Sequence, residues 1–412
     1  MAADPTLSRR EVPLRVVELD GSPERVGVLV DALTAALDGA PAVLPVPTGT
    51  APSATTAPSG TAVVIATSGS TGEPKLVALS AAALRASARA TEARLGGPGR
   101  WLLALPAEHV AGVQVIVRAL LAGARPQVLE TRAGFRPSGF AEATATLGPG
   151  PRYTSLVPTQ LRRILDAETD SARAALRTYT AVLVGGAALD SATHERALAE
   201  GVQVVTTYGM SETAGGCVYD GVALDGVLVD LDADGRILLG GPTLASGYLG
   251  RADETAVAFA GGRFRTGDLG RRHNGRLEVL GRADDVIVTG GEKVAPAAVE
   301  RILASLPGVR AACVTAIPDD EWGQVVAAAV VLETGEPEAG KPETGDLAAG
   351  EPEAGDLASV ADGLRAAVRA ELGRAAVPRR IVAVAEIPLR GIGKPDRTAV
   401  ARLVAAHITT AV

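Results

Sequence analysis

Short apolar runs alternate with amphipathic stretches through the first half of this chain. Trp101–Leu105, Tyr153–Val157 and Thr180–Val184 have the length of buried strands, whereas Val110–Leu121 and Pro158–Leu165 have helical spacing. Such alternation is typical of strand, helix, strand units that build a parallel sheet. The pattern therefore predicts a large layered α/β domain.

The amino-terminal segment follows the same pattern. Leu14–Leu19 and Ala42–Val46 are predicted strands, and Ser22–Leu37 is a predicted helix capped by Ser22. A connector rich in Pro, Thr, Ser and Ala, residues 47–60, then leads into the apolar run Thr61–Thr67, a predicted buried strand.

The pattern of the sequence changes after Val227. Short strands and Gly-containing turns through Val279 predict a β-rich subdomain. Beyond Arg282 a compact α+β segment follows, so we expect a large domain over residues 1–281 and a small domain over residues 282–412. Within the small domain, the segment Glu333–Leu357 is rich in Gly, Pro and acidic residues. It is predicted to be a disordered insertion between a strand and a helix.

Composition and charge limit the classes of partner that we expect this protein to bind. The chain has 412 residues, 47% of them hydrophobic, and a net charge of −7, which disfavours nucleic acid as the main partner. Cys217 and Cys313 lie far apart without metal-binding spacing, as expected of reduced thiols in a cytoplasmic protein. No apolar run is long enough to predict membrane insertion.

The segment Thr67–Lys75 reads Thr-Ser-Gly-Ser-Thr-Gly-Glu-Pro-Lys. Small and hydroxylated residues let backbone N–H groups turn toward anionic oxygens, so this loop is predicted to hold phosphate. Its glycine and lysine spacing differs from the G-x-x-x-x-G-K-[ST] pattern of P-loop NTPases. Taken alone, it could also be a mobile Gly/Ser linker.

Four further motifs follow in order. Thr207–Thr213 places Tyr208 to stack on a purine and Glu212 to hold Mg²⁺. Asp268, in a predicted turn, can accept hydrogen bonds from ribose hydroxyls. The third motif is a charged turn followed by a Gly-rich loop, Gly281–Glu292, and the fourth is a Gly/Pro turn that carries Lys394.

Together and in this order, these motifs resemble the adenylate-forming superfamily of acyl-CoA synthetases, adenylation domains and luciferases. The resemblance covers nearly the whole chain from Thr61 onward and implies that fold, ATP and Mg²⁺ as cofactors, and coenzyme A as co-substrate. It implies that Lys394, Glu212 and Lys75 are catalytic, that Glu212 is the Mg²⁺ ligand, and that Asp284 is the hinge between the domains. The ATP-binding residues that it implies are Thr67, Ser68, Gly69, Ser70, Thr71, Gly72, Gly185, Gly186, Ala187, Thr207, Tyr208, Gly209, Ser211, Asp268 and Arg282.

Within the superfamily, several segments are similar to the short o-succinylbenzoate–CoA ligases of menaquinone biosynthesis. The similarity implies that o-succinylbenzoate is the acid, with His109 and Ser155 as candidate substrate-binding residues. Another aryl or fatty acid–CoA ligase, a stand-alone adenylation enzyme and a non-catalytic acyl-adenylate-binding regulator are the alternatives, and a homodimer is left open. Only 66 residues precede the phosphate loop, which indicates a shortened amino-terminal region.

Overall fold

A computed structural model describes residues 10–52, 54–67, 74–332, 354–390 and 394–409. The chain divides into two compact units. The first comprises Met1–Leu189, Thr193–Thr266 and Arg271–Glu278, and the second comprises Asp190–Ala192, Gly267–Gly270 and Val279–Val412.

Strands and helices alternate through the described residues up to Tyr219, and strands predominate from there to residue 294. In chain order these elements are β1 Glu11–Pro13, β2 Arg15–Leu19, α1 Pro23–Leu37, β3 Val43–Pro47, β4 Thr56–Pro58, β5 Thr61–Thr67, β6 Lys75–Ser80, α2 Ala81–Leu95, β7 Arg100–Leu103, α3 Val110–Leu121, β8 Gln127–Val128, α4 Pro137–Ala145, β9 Arg152–Leu156, α5 Pro158–Leu165, α6 Asp170–Leu176, β10 Ala181–Val184, α7 Ser191–Ala199, β11 Val204–Met210, β12 Gly215–Tyr219, β13 Val222–Ala223, β14 Leu228–Leu231, β15 Arg236–Gly240, β16 Gly247–Tyr248, α8 Ala252–Ala258, β17 Arg263–His273, β18 Arg276–Arg282, β19 Ile287–Thr289 and β20 Glu292–Val294.

The remaining elements all belong to the second unit. They are α9 Pro296–Ala304, β21 Val309–Asp319, β22 Gly323–Leu332, α10 Ala354–Leu372, β23 Arg380–Ala383, β24 Leu389–Arg390, β25 Lys394–Pro395 and α11 Arg397–Thr409.

Two mixed sheets form the frame of the first unit. One has the strand order β13-β12-β11-β10-β9-β7-β8, and the other has the order β16-β6-β5-β3-β2. In the first sheet β8, β7, β9, β10 and β11 run parallel, and β12 and β13 continue it as antiparallel strands. The predicted α/β class with parallel sheet is therefore confirmed.

The large apolar core of this unit contains residues from both sheets. Leu29 and Leu33 of α1, Leu84 of α2 and Ile116 of α3 are fully buried in it. Successive residues of a strand point to opposite faces, so Leu183 of β10 enters this core while Val182 enters a second core with Phe140 and Leu161. The seven-stranded sheet is thus covered on both faces, as parallel sheets require.

The second unit is built on the three-stranded sheet β21-β22-β23. Val299 of α9 and Val368 of α10 contribute to one apolar cluster, whereas Val400 and Val404 of α11 contribute to another that contains Cys313. The alternation along β21 sends Cys313 and Val314 into different clusters. This arrangement matches the predicted small α+β domain.

Several local expectations were wrong. The connector 47–60 contains β4, which pairs with β1 in an antiparallel ladder, and long-range pairing of this kind leaves no local signal. Helix α10 begins at Ala354, inside the predicted insertion, whereas residues 333–353 lie outside the described part of the chain. Asp268 lies within strand β17 rather than in a turn, because this strand of 11 residues continues through Gly267 and Gly270.

Candidate active site

The predicted phosphate loop lies between two antiparallel strands. Thr67 at the end of β5 pairs with Lys75 at the start of β6, and the Thr67 hydroxyl donates to the Lys75 carbonyl oxygen across 3.2 Å. Residues 62–65 of β5 are buried, which fixes the base of the loop in the core. The predicted site residues Ser68, Gly69, Ser70, Thr71 and Gly72 lie outside the described residues.

Lys75 contacts an anionic and aromatic cluster. Its Nζ lies 2.6 Å from Oε2 of Glu254 and 4.9 Å from the ring centroid of Tyr248. The Tyr248 hydroxyl donates to Oε1 of Glu212 across 2.9 Å. The structure therefore links two predicted catalytic residues, Lys75 and Glu212, through one tyrosine.

Electrostatics reinforce this cluster. Burial, with the negative charge of Glu212, raises the pKa of Tyr248, so the phenol keeps its proton and remains a donor. Hydrogen bonds from Lys75 and Arg251 lower the pKa of Glu254 and keep that carboxylate charged. Lys75 is thus held by a carboxylate and an aromatic face.

Strand pairing explains why Tyr248 reaches this position. The two-residue strand β16 runs antiparallel to β6, with Tyr248 opposite Val77, close to where Lys75 enters the sheet. Glu254 follows on α8, where Arg251 binds its other oxygen at 2.8 Å. Sequence reasoning missed Tyr248, Glu254 and Arg251, and the Gly-Tyr pair bounded by turns was the available signal.

A tight turn presents Glu212. Ser211–Thr213 forms a 3-10 turn between β11 and β12, and Ala214 has a φ of 50°. The Thr213 hydroxyl accepts the Met210 N–H at 3.0 Å and donates to the Gly215 carbonyl at 2.8 Å. These contacts fix the turn and hence the carboxylate.

Glycines permit close approach around this hairpin. A Cβ at Gly209 would overlap the Gly215 carbonyl, and a Cβ at Gly185 would overlap the Thr207 hydroxyl. Gly185 therefore lies directly against Thr207, and Gly186 follows with a φ of 81°. The predicted adenine segments around Gly185 and Tyr208 are neighbours, since β10 and β11 are paired. Ala187 follows in the loop after β10, and Ser211 is buried at the start of the turn.

The two candidate substrate residues lie on different elements. Ser155 is buried in β9, with Leu183 of β10 as its cross-strand partner. His109 immediately precedes α3, and its side chain does not cap that helix.

In the second unit, Arg282 lies between two carboxylates, those of Asp268 and Asp284. Arg282 Nη1 lies 3.7 Å from Asp268 Oδ1, and Nη2 donates to Asp284 Oδ2 at 3.1 Å. A Cβ at Gly267 would lie 2.6 Å from Arg282 Nη2, so this glycine admits the guanidinium. One arginine thus joins the predicted ribose aspartate to the predicted hinge residue.

Lys394 opens strand β25, and its backbone pairs with Arg390 of β24. Residues 391–393, which connect these two strands, lie outside the described part of the chain.

Comparison with known proteins decides the family. Residues 4–249 match the AMP-binding enzyme family, and residues 298–394 match the AMP-binding enzyme C-terminal domain. The chain belongs to the AMP-binding enzymes. Their adenylate-forming fold is therefore confirmed for this protein.

Relatives within this enzyme family bear closely related names. The chain is 46% identical over 345 residues to "Probable 2-succinylbenzoate–CoA ligase" of Mycobacterium tuberculosis H37Rv, which covers 83% of this chain and 84% of that protein. It is 32% identical over 419 residues to 2-succinylbenzoate–CoA ligase of Geobacillus kaustophilus HTA426, covering 94% of this chain and 80% of that protein.

Solved AMP-binding enzymes share the fold. The amide bond synthetase McbA from Marinactinospora thermotolerans has a TM-score of 0.70 and 27% identity, covering 95% of this chain and 80% of that chain. The o-succinylbenzoate CoA synthetase from Bacillus subtilis, solved with its acyl-adenylate, has a TM-score of 0.67 and 23% identity, covering 94% and 78%. No helix among the described residues is long and apolar enough to cross a membrane.

Proposed function

We propose that this AMP-binding enzyme is an ATP-dependent acid–CoA ligase that converts o-succinylbenzoate to o-succinylbenzoyl-CoA in menaquinone biosynthesis. The observation that carries this proposal is the 46% identity, across 83% of the chain, to a mycobacterial protein with that name. The link from Lys75 through Tyr248 to Glu212 supports it, because it places a cation and a carboxylate beside the phosphate loop.

In the first step a carboxylate oxygen of the acid attacks the α-phosphorus of ATP. The bond from this phosphorus to the bridging oxygen of pyrophosphate breaks, and a mixed anhydride, acyl-AMP, forms. Both reactants are anionic, so fixed N–H donors and cations lower the barrier. We assign Lys75 and the Thr67–Gly72 loop to the β- and γ-phosphates, and Lys394 to the α-phosphate and the substrate carboxylate.

The nucleoside is assigned to backbone and carboxylate contacts. Gly185, Gly186, Ala187, Tyr208 and Gly209 would bracket the adenine, and Asp268 would accept both ribose hydroxyls, with Arg282 beside it. Thr207 and Ser211 flank this strip on the same hairpin as Glu212. His109 and Ser155 are proposed to contact the acid.

Glu212 fits the proposed Mg²⁺ ligand. Its Oε1 accepts the Tyr248 hydroxyl, while its Oε2 accepts no hydrogen bond from the described residues. A single carboxylate oxygen suits Mg²⁺, which binds one or two protein carboxylates together with substrate phosphates and water. When bound there, the ion would neutralise phosphate charge.

In the second step the CoA thiolate attacks the acyl carbon, the bond from that carbon to the phosphate oxygen breaks, and AMP leaves. Rotation about Asp284 would withdraw Lys394 and bring the Thr289–Glu292 loop to the thiol. Cytoplasmic location is part of this proposal.

Pyrophosphate release from ATP, measured with a panel of acids with and without CoA, tests the function. We expect release with o-succinylbenzoate in the absence of CoA, and thioester only when CoA is added. Release with medium-chain fatty acids but not with o-succinylbenzoate would refute the substrate assignment. The absence of release with every acid would favour a non-catalytic regulator. Product formed with amines instead of CoA would favour amide synthesis, the chemistry in the name of the Marinactinospora structure.

A further inference from the structure

Arg397, three residues after Lys394, is the centre of an ion cluster in the second unit. Its Nη2 donates to Glu300 Oε2 at 3.1 Å and its Nε to Asp285 Oδ2 at 3.2 Å. Its Nη1 donates to Glu300 Oε1 and to the Val314 carbonyl. One guanidinium therefore ties together helix α9, strand β21, and the turn that contains the predicted hinge.

The carboxylates of the cluster stabilise the charged form of Arg397. Burial opposes the charge of Arg397, but the hydrogen bonds and the negative charge of Glu300, together with the charge of Asp285, outweigh burial and raise the pKa of Arg397 above its ordinary value. Glu300 Oε1 also accepts the Val314 N–H at 2.7 Å. Loss of the arginine would leave two partly buried carboxylates without their cation, which is the costly way to break such a cluster.

The same residue is coupled by backbone contacts to the hairpin of Lys394. The Asp396 N–H donates to the Pro388 carbonyl at 2.8 Å, which closes the β24–β25 hairpin. Asp396 Oδ1 accepts the N–H groups of Thr398 at 3.1 Å and Ala399 at 3.0 Å, which caps α11. The Arg397 carbonyl accepts the Thr315 hydroxyl at 3.3 Å.

The cluster also reaches the hinge from one side. Asp285 directly follows Asp284, whose carboxylate is held by Arg282 at 3.1 Å. The carboxyl-terminal flank of the hinge is thus bound to Arg397, while Asp284 is bound to the arginine that precedes it.

We propose that Arg397 is a positioning residue for adenylation: it fixes the Lys394 hairpin to the carboxyl-terminal flank of the hinge, so that both move as one rigid piece. The inference rests on the proposed function, which assigns Lys394 to the adenylation step. Displacement of such a group by about 1 Å is enough to slow a reaction about a hundredfold.

The test compares the two half-reactions in the full-length protein. Arg397→Gln, Arg397→Lys and Glu300→Gln are assayed for pyrophosphate release without CoA, and for thioester formation from preformed o-succinylbenzoyl-AMP. Arg365→Gln is the matched control, because Arg365 pairs with Asp362 at 3.0 Å and contacts the Pro378 carbonyl on the surface of the same unit.

We expect Arg397→Gln to slow adenylation about tenfold or more while thioester formation changes less than about twofold. Arg397→Lys should be intermediate, since a lysine cannot bind Glu300 bidentately. Arg365→Gln should change neither step. Equal loss in both half-reactions, or no loss in either, would overturn the inference.

Hydrogen exchange of residues 388–400 separates this inference from the proposed function. Arg397→Gln or, if that variant does not fold, Glu300→Gln should accelerate exchange of the Asp396 and Val400 amides relative to Arg365→Gln. Unchanged exchange refutes the anchoring whatever the substrate. If Lys394→Ala spares adenylation while exchange still accelerates, the assigned role of Lys394 fails and the anchoring stands.

Discussion

The hydroxyl of Tyr248 donates a hydrogen bond to Glu212 across 2.9 Å, while the ring of the same tyrosine lies under the Lys75 ammonium at 4.9 Å. Tyr248 therefore orients both the proposed magnesium ligand and the proposed phosphate lysine. The two contacts use different parts of the side chain, so substitution can separate them.

Tyr248→Phe keeps the ring and removes only the hydroxyl. We expect adenylation to slow about tenfold because Glu212 loses its fixed orientation, and the free energy of unfolding to fall by about 1–2 kcal/mol. Pyrophosphate release and urea unfolding measure the two effects.

Tyr179→Phe is the control for this substitution. Tyr179 also has a buried hydroxyl, which lies 2.8 Å from that of Thr144 and away from the cluster. It should lose comparable stability with activity unchanged. If Tyr179→Phe slowed adenylation as much as Tyr248→Phe, orientation of Glu212 would not be the cause.

The Glu254 carboxylate makes stability depend on acid pH. Its pKa is lowered by the hydrogen bond from Lys75 and by Arg251, so the unfolded chain binds its proton more readily than the folded protein. The stabilisation is therefore fully present above about pH 4.5 and is lost as pH falls through the lower folded pKa.

Glu254→Gln should accordingly flatten the fall in thermal midpoint between about pH 5 and pH 3. Thermal unfolding of wild type and variant across this range measures it. Because Lys75 and Glu254 are both partly exposed, the difference at neutral pH should be small. An unchanged acid slope would show that the pair is not formed in solution.

The motifs that carry the proposed chemistry could be found in the sequence because each motif is local. Glu212 is presented by a turn of three residues, and its own neighbours set that turn. Tyr248 was missed, because it reaches Lys75 only through the pairing of β16 with β6, two segments far apart along the chain. The role of Arg397 was missed for the same reason, since Asp285 and Glu300 contact it only in the folded unit.

The fold shows the same division. Helix α1 was predictable from its Ser22 cap and its apolar spacing. Strand β4 was not predictable, because its ladder with β1 joins two short, weakly apolar segments that are far apart along the chain.

Gly209→Ala should destabilise the hairpin that carries Glu212. A Cβ there would overlap the Gly215 carbonyl and lie 2.6 Å from Gly216 Cα, and backbone atoms cannot move aside cheaply. We expect a loss of about 2–3 kcal/mol in the free energy of unfolding, measured by urea denaturation.

Gly363→Ala is the same substitution, but it should raise the free energy of unfolding rather than lower it. Gly363 lies in helix α10, and a Cβ there has nothing within 4 Å. It should stabilise the protein by about 0.5–1 kcal/mol through helix propensity and reduced chain entropy. Equal effects at the two glycines would mean that close approach at Gly209 is not the constraint.

The two thiols should report separately on the two units. Cys217 lies in the first and Cys313 in the second, and burial raises the pKa of each to about 12. Since the thiolate is the nucleophile, neither should react with iodoacetamide at pH 8 in the folded protein, and both should react after unfolding. Mass spectrometry of each cysteine peptide along a urea series then gives an unfolding curve for each unit.

The sign of this linkage is opposite to that of Glu254. A thiol whose folded pKa exceeds the unfolded value of about 8.5 stabilises the protein fully below that pH, and its contribution falls as pH rises toward 12. Cys217→Ser and Cys313→Ser controls confirm which peptide carries the label. Fast labelling of either thiol in native protein at pH 8 would contradict its burial, and coincident curves would show that the two units unfold together.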